Sequence, residues 1–541
     1  MSTSSTTSLR AWQREALERL DGWQEGPFLV SAAPGAGKTR PALELARRML
    51  SGGQASSVTV LCPTTPLTRQ WAGAAAELGV QLQPDASGPR PPRDFHGVAV
   101  TYARVASDPR AWAGKVAPDA LVIADEAHHL GEELAWGTSI QQAFSAASRW
   151  LLLSGTPFRS DATPIPGVSY DAEGVAVPDV SYTYAQAVAE GICRPVAFVT
   201  FDGTLSWRSG QDVIESSFET VLSAREASRR YRTAISTELP DGLPRILSEA
   251  DAKLRELRQG GHRDAAGLAV AADAAHARQI AKLLGGSTGR APVVVLHTEA
   301  RAAEKLATFR ASREPWIVAV NMVSEGVDIP RLRVGVYATA AKTPMIFRQI
   351  VGRFVRTIPG RMPEPSWVYL PADPVLRGHA AEVESELRHA LREREAEEDL
   401  DEPLERRASE PSPAMEFVPL SAEVAPQMTL FGASPASPAS KPKQQHVPEP
   451  TPVAAFERRA SLREERRRLV ADLAKRGGGN HREINAWINR EIGVGRVESA
   501  TIEQLERSIE RLVRELTRHS RRRGQALSNL PEIEINARSQ R

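Results

Sequence analysis

The chain has 541 residues, 41% of them hydrophobic, with a formal net charge of +2 and only two cysteines. That is length for three or four domains and apolar content for substantial cores, which excludes a small adaptor. Cys62 and Cys193 both stand in apolar strand-like runs, which excludes a disulfide framework, an iron–sulfur cluster and a cysteine zinc site. The start, Met1 to Arg10, is Ser/Thr-rich without an apolar core, and no run approaches the roughly 18 apolar residues of a membrane span. The expectation is a cytoplasmic protein without a membrane partner.

The first informative stretch is Phe28-Leu29-Val30, followed by Ala32-Ala33-Pro34-Gly35-Ala36-Gly37-Lys38-Thr39 and then a helical pattern from Arg40 to Leu50. This is strand, phosphate loop, helix. The small residues Pro34, Gly35, Ala36 and Gly37 let backbone N–H groups close on phosphates at a helix N-terminus. Lys38 reaches the β/γ oxygens, and the Thr39 hydroxyl can ligate Mg2+. Ala32 stands where the general pattern has its first Gly. Next, Leu121-Val122-Ile123-Ala124 ends in Asp125-Glu126-Ala127-His128, so the two acids lie at the C-terminal end of a buried parallel strand, where open α/β sheets bind ligands. Asp125 is suited to hold Mg2+ and Glu126 to orient an attacking water. A zinc site at His128-His129 is the poorer reading, because adjacent imidazoles do not easily share one metal and no third ligand cluster is evident. Ser154-Gly155-Thr156-Pro157 and Gln349-x-x-Gly352-Arg353-x-x-Arg356 complete the set.

In this order and spacing the four segments resemble a superfamily 2 helicase or translocase of the DEAH/restriction-enzyme motor type, over residues 9–372. The resemblance implies ATP and Mg2+ as ligands, with the nucleotide between two RecA-like domains. It makes Gln13, in Leu9-Arg10-Ala11-Trp12-Gln13, an adenine reader. Pro63-Thr64-Thr65 and Thr101 become contacts to a sugar-phosphate backbone. His128, Ser154, Gly155, Thr156 and Gln349 couple the site to the DNA path, which Arg159 would touch. The form Ser-Gly-Thr-Pro-Phe-Arg at 154–159 is closer to duplex-DNA translocases than to RNA helicases. Met322 to Pro330 corresponds to motif V, with Glu325 and Gly326 near DNA and Asp328 near ribose. Arg353 and Arg356 become arginine fingers reaching the γ-phosphate.

Strand-like runs alternate with helical stretches across 28–155 and 267–372. The expected fold is therefore α/β: two tandem RecA-like doubly wound parallel-sheet domains plus a small C-terminal α-helical domain. The expected boundaries are 1–200 for the ATP-binding domain, 201–262 for a helical arm and 263–378 for the second RecA-like domain. An acidic solvated helix follows at 379–407, then a disordered Pro/Ser/Ala tether at 408–455, a basic helical module at 456–523 and a disordered tail at 524–541. Inside the tether, Gln427-Met428-Thr429-Leu430-Phe431 resembles the pentapeptide by which bacterial replication and repair proteins bind the sliding clamp. Gln427, Leu430 and Phe431 are then the contacts; chance occurrence and docking back on the motor are the alternatives. Residues 456–541 carry 20 Lys and Arg against 13 Asp and Glu, so the module is expected to bind DNA, with a protein-interaction bundle as the alternative.

The functional expectation is an ATP-dependent DNA helicase or translocase of replication, repair or recombination, gripping phosphates with little sequence preference. The rivals are the motor of a restriction or phage-defence system and, outside enzymes, an ATP-switched scaffold on DNA or a clamp.

Overall fold

The computed structural model describes residues 9–132, 134–155, 168–172, 174–209, 212–296, 299, 301–320, 329–358, 360–361, 364–398, 427–428 and 454–522. In chain order the strands are β1 (Gly26–Ala32), β2 (Val58–Cys62), β3 (Leu82–Pro84), β4 (Gly97–Thr101), β5 (Leu121–Asp125) and β6 (Arg149–Ser154). They continue as β7 (Ser169–Tyr170), β8 (Ala176–Val177), β9 (Val180–Tyr182), β10 (Val196–Phe201), β11 (Leu205–Ser209) and β12 (Asp212–Ser216). The last six are β13 (Ala266–Ala271), β14 (Val293–Val295), β15 (Trp316–Val320), β16 (Leu332–Ala338), β17 (Ser366–Pro371) and β18 (Gln427–Met428). One sheet runs β3-β4-β2-β5-β6-β1-β9 and the other β14-β15-β13-β16-β17-β10-β18. The strands β2, β5, β13, β15 and β16 are buried from end to end, as parallel strands covered by helices on both faces must be. The fold is α/β with two tandem RecA-like sheets and a C-terminal helical region.

The compact units do not follow the two sheets. One gathers residues from Met1–Ala42, Ile123–Thr138 and Arg149–Gln444; the other gathers Leu43–Val122, Ser139–Ser148 and Gln445–Arg541.

In the first unit, β1 runs parallel to β6, from Gly26 opposite Arg149 to Ser31 opposite Ser154, and on its other side to β9. Val196–Phe201 pairs with β17 in the second sheet, so that sheet begins inside the range assigned from sequence to the ATP-binding domain. The 201–262 segment is no projecting arm either. The helix Leu243–Gln259 buries Leu243, Ile246, Leu247, Ala250 and Leu254, and its buried Asp251 accepts a hydrogen bond from Trp316 Nε1 at 2.9 Å. The spacing of those five residues is one helical face, and that face is a layer of the second domain. The acidic helix starts early, at Pro374, and runs to Glu398. Its Leu376, Ala380, Val383 and Leu387 are buried, so it packs by one stripe rather than lying solvated.

At the N-terminal ends of neighbouring strands in the second sheet, the buried His262 and Arg333 form an ionic group with the exposed Glu364. Arg333 Nη1 lies 2.9 Å from His262 Nδ1 and 2.7 Å from Glu364 Oε2. Burial, followed by the Arg361 and Arg333 charges, pushes the His262 pKa down to about 4 from 6.5. The unfolded chain therefore takes up a proton near pH 6.5 that the folded chain refuses until about pH 4. The stability contribution is complete above pH 6.5, and it is lost as pH falls from 6.5 toward 4. Urea unfolding followed between pH 7 and 4.5 should show a decline, of which on the order of 2 kcal/mol disappears in His262→Gln. An unchanged slope in that variant would reject the assignment.

In the second unit, β2 and β3 flank β4 in parallel, with Cys62 opposite Thr101. The C-terminal helices Ala455–Lys475, His481–Glu491 and Ile502–Arg522 close around Leu469, Val470, Leu473, Ile484, Ile488, Ile509, Leu512 and Leu516. This bundle is anchored on the strand layer of its own unit. Gln81 Oε1 accepts the Ala455 N–H at 3.1 Å and Asp94 Oδ2 accepts the Ile502 N–H at 2.9 Å, each satisfying a donor that a helix start leaves open. Several of its arginines are internal. Arg459 and Arg463 both donate to the Glu498 carbonyl, and Arg466 donates to the side chains of Asn485 and Asn489 at 3.2 and 2.6 Å.

Within the tether, Gln427 and Met428 form a short antiparallel strand on the β10 edge, opposite Thr200 and Val199. Leu430 and Phe431 lie outside the described residues, as does the expected tail of 524–541. Among the described residues, no helix is long and apolar enough to cross a membrane.

Candidate active site

The site is built at the C-terminal edge of β5, β6 and β1. Beyond β1 the chain enters the phosphate-type loop, with Gly35 at φ +84° and Gly37 at φ +87°, conformations that glycine adopts without the Cβ clash. Thr39 then opens the helix Thr39–Ser51, so the loop's N–H groups converge where a helix start favours an anion. Lys38 projects from the end of the loop.

Asp125 ends β5 and is buried. The next residue, Glu126, sits at φ +51°. A residue with a Cβ in this left-handed region costs on the order of 1 kcal/mol, strain of a kind that gathers at functional positions. The turn is held by the Ala127 N–H, which donates to Leu153 O at 2.8 Å. It aims the Glu126 carboxylate at Lys38, with Oε1 3.2 Å from Nζ. The other oxygen, Oε2, accepts the Gly155 N–H at 3.3 Å and lies 3.7 Å from His128 Nδ1. Burial alone would raise the Glu126 pKa; Lys38, then His128 and the Gly155 N–H, hold it down to about 2. At neutral pH the group is a carboxylate committed to an ion pair.

His128 is buried, and its Nε2 lies 3.3 Å from Gln349 Nε2. Gln349 belongs to the helix Pro344–Val351, which Thr343 caps through the Ile346 N–H. Just past that helix, Gly352 comes so close to the loop that a Cβ would meet Pro34 Cβ at 2.8 Å. The glycine of Gln-x-x-Gly-Arg is thus a contact requirement. Arg353 is buried, and the Cγ of Arg356 lies 3.2 Å from where a Gly35 Cβ would stand.

The structure therefore brings together Pro34, Gly35, Ala36, Gly37, Lys38, Glu126, His128, Gly155, Gln349 and Arg356, with Ser154, Asp125 and Thr39 on the adjoining strand and helix ends. A cavity of about 480 Å³ adjoins the loop, sharing Pro34 and Gly155 with it and lined further by Tyr182, Tyr184, Gly352 and Glu386. Gln13 is present but otherwise engaged. Its Nε2 donates to Gly37 O at 3.1 Å and its Oε1 accepts the Arg10 N–H at 3.0 Å. Thr64, Thr65 and Thr101 belong to the second unit. Thr64 and Thr101 are helix N-caps at the ends of adjacent parallel strands, and Thr101 Oγ1 accepts the Arg104 N–H. Thr156, Arg159, Glu325, Gly326 and Asp328 lie outside the described residues.

Sequence reasoning missed two supports of the loop. Arg10 Nη1 donates to Ala36 O at 2.6 Å, and Cys193 Sγ donates to Pro34 O at 3.4 Å. Arg10 stands beside Gln13 within the stretch already singled out; Cys193 gave no signal in sequence.

Residues 6–159 match the family model described as type III restriction enzyme, res subunit, and residues 257–357 match the helicase conserved C-terminal domain. The chain is 43% identical over 399 residues to Uncharacterized protein Rv2917 of Mycobacterium tuberculosis (strain ATCC 25618 / H37Rv), covering 72% of this chain and 66% of that one. It is 42% identical over 394 residues to Uncharacterized protein ML1624 of Mycobacterium leprae (strain TN), covering 71% of this chain. The chain spans 66% and 65% of the length of these curated relatives. Among solved structures, S. cerevisiae Dbp5 bound to RNA and ADP BeF3 aligns with TM-score 0.45 at 14% identity, covering 71% of this chain and 88% of that one. The ATP-dependent Type ISP restriction-modification enzyme LlaBIII bound to DNA aligns with TM-score 0.45 at 14% identity, covering 71% and 30%.

Proposed function

The chain belongs to the superfamily 2 helicases and restriction-enzyme motors, and from this premise we propose that it hydrolyses ATP to drive movement along DNA. The observation that carries the reading is that Glu126 and Arg356, from two distant stretches of chain, meet the loop that ends in Lys38, Glu126 at Lys38 itself and Arg356 against Gly35. Lys38 would bind β/γ-phosphate oxygens, and Thr39 and Asp125 would hold Mg2+, which would supply charge neutralisation on the phosphates. The fit rests on the loop's helix-start geometry and on the buried Asp125 beside it.

The ion pair of Lys38 with Glu126 implies an exchange. An entering polyphosphate takes Lys38 from Glu126, and the freed carboxylate, still steered by Gly155 and His128, orients the attacking water. The contact of His128 with Gln349 makes that carboxylate's orientation sensitive to the helix Pro344–Val351. Arg353 and Arg356 stabilise the charge that develops on the transferred group. Gln13, already bound to the loop, reports adenine through the loop it supports.

DNA is favoured over RNA by the Ser-Gly-Thr-Pro-Phe-Arg form at 154–159. The grip is on phosphates, at the Thr64, Thr65 and Thr101 strand ends and through Arg159, with Glu325 and Gly326 near the DNA. Asp328 meets ribose. In the C-terminal bundle the internal roles of Arg459, Arg463 and Arg466 leave Lys475, Arg482, Arg490 and Arg496 among the exposed cations for DNA. Clamp binding through Gln427, Leu430 and Phe431 would require the β18 segment to leave β10; docking on the motor itself is the better supported use of that segment. Replication, repair and restriction remain equal settings for such a motor.

Turnover measured with single-stranded, duplex and forked DNA and with RNA, over a salt series, tests the reading. Stimulation by DNA should fall steeply with salt, as expected for phosphate contacts. Stimulation by RNA alone would overturn the substrate, and no turnover with any polymer would favour an ATP-switched scaffold.

A further inference from the structure

Between β9 and β10 the chain forms a short strap, Ile192–Arg194, that touches both halves of the catalytic apparatus. Its base is fixed on the helix Tyr184–Ala189, whose Ala187 carbonyl accepts the N–H groups of Ile192 and Cys193, each at 2.8 Å. From there the strap is laced to the arginine-bearing segment. The Arg194 N–H donates to Val355 O at 2.7 Å, Cys193 and Arg356 form an antiparallel bridge, and Thr357 Oγ1 donates to Ile192 O at 2.9 Å. Two side chains extend the strap further. Cys193 Sγ donates to Pro34 O in the Walker loop at 3.4 Å, and Arg194, itself buried, donates through Nη2 to Pro330 O at 3.2 Å. Gly35 completes the stack, since a Cβ there would lie 3.2 Å from Arg356 Cγ and 3.7 Å from Cys193 Sγ.

We propose that Cys193 and Arg194 are positioning residues that make the placement of Arg356 depend on the state of the Walker loop. The inference rests on the ATP-hydrolysing reading given above and adds the route by which loop and arginine finger respond to each other. The backbone of the strap is hydrogen-bonded to residues 355–357, so it cannot shift without carrying Arg356 along. The Cys193 thiol is a weak donor, kept protonated by burial that raises its pKa to about 12. It is therefore a mechanical contact to Pro34 rather than a reactive group. Arg194 fixes the far side of the strap to the chain that leads into β16.

Four variants separate positioning from plain packing. Cys193→Val keeps volume and removes the donor, whereas Cys193→Ser keeps a donor. Arg194→Met removes the Pro330 contact, and Arg194→Lys keeps a cation able to donate. Cys193→Val should lower kcat about fivefold and Arg194→Met more than tenfold, with KM and the affinity for a non-hydrolysable ATP analogue within about twofold. Cys193→Ser and Arg194→Lys should recover at least part of each loss. Equal losses in kcat, analogue affinity and melting temperature without recovery would mean ordinary packing and overturn the proposal, as would unchanged kcat.

A second readout does not need turnover. In the wild-type chain, modification of Cys193 by a small thiol reagent, mapped by mass spectrometry with buried Cys62 as internal reference, should change about tenfold or more when the analogue with Mg2+ binds. A wild-type chain that binds the analogue and alters Cys193 protection but hydrolyses nothing would sink the ATPase reading and keep the strap. Constant protection on binding would sink the strap.

Discussion

Replacing Glu126 with glutamine is expected to lower ATP turnover by about a thousandfold while nucleotide affinity stays the same or rises several-fold. The carboxylate has two successive partners. In the structure it neutralises Lys38 at 3.2 Å; on the proposed reading it orients water once nucleotide is bound. Glutamine retains an oxygen for the Gly155 N–H, so the turn at φ +51° keeps its anchor. Glutamine cannot hold the ammonium as an ion pair, so polyphosphate no longer competes with a resident carboxylate for Lys38. Lys38→Ala should do the reverse, losing affinity first. The measurement is analogue binding by titration alongside steady-state turnover with saturating DNA. A Glu126→Gln protein whose affinity drops together with turnover would show that Glu126 holds the loop in shape, and the exchange between partners would have to be abandoned.

Arg356→Ala is the second large effect, a loss of about a thousandfold or more in kcat with KM within a few-fold, the usual yield of an arginine finger. The Arg356 stem packs against the loop because Gly35 has no side chain, with Arg356 Cγ 3.2 Å from the position a Cβ would take. An interaction made only as charge develops on the transferred group leaves ground-state binding almost untouched, which is why kcat and KM should part. Arg356→Lys should restore little, since a point charge lacks the planar fork. If Arg356→Ala keeps more than a tenth of wild-type kcat, the residue is a packing element of the strap region and Arg353 becomes the sole candidate.

Much of this site can be read from the chain itself, because its chemistry is local. A strand, a glycine-bearing loop and a helix start are consecutive residues, so 28–50 specify that local geometry without any distant contact. Leu121–Asp125 likewise states its own burial, and the helical repeat of Leu505, Ile509, Leu512 and Leu516 anticipates the bundle core. The glycine at 352 is visible as part of a motif, but its reason is a neighbour in space, Pro34, more than three hundred positions away in the chain. The basic C-terminal arginines point the same way. Periodicity locates Arg459, Arg463 and Arg466 on helices, yet the Glu498 carbonyl and the Asn485 and Asn489 side chains that occupy them come from the bundle's other segments.

By itself the sequence determined the two parallel sheets and marked the glycine-bearing loop, the acidic strand end and the paired arginines as candidates, since each is written in residues adjacent along the backbone, where sterics and hydrogen-bond geometry act over a few bonds. Only the tertiary structure decided that Glu126 rests on Lys38, that Gln13 and Arg10 brace the loop, and that Cys193 and Arg194 join it to Arg356. Those are contacts between groups well separated along the chain, and their free energy depends on distances that exist only once the chain has closed on itself.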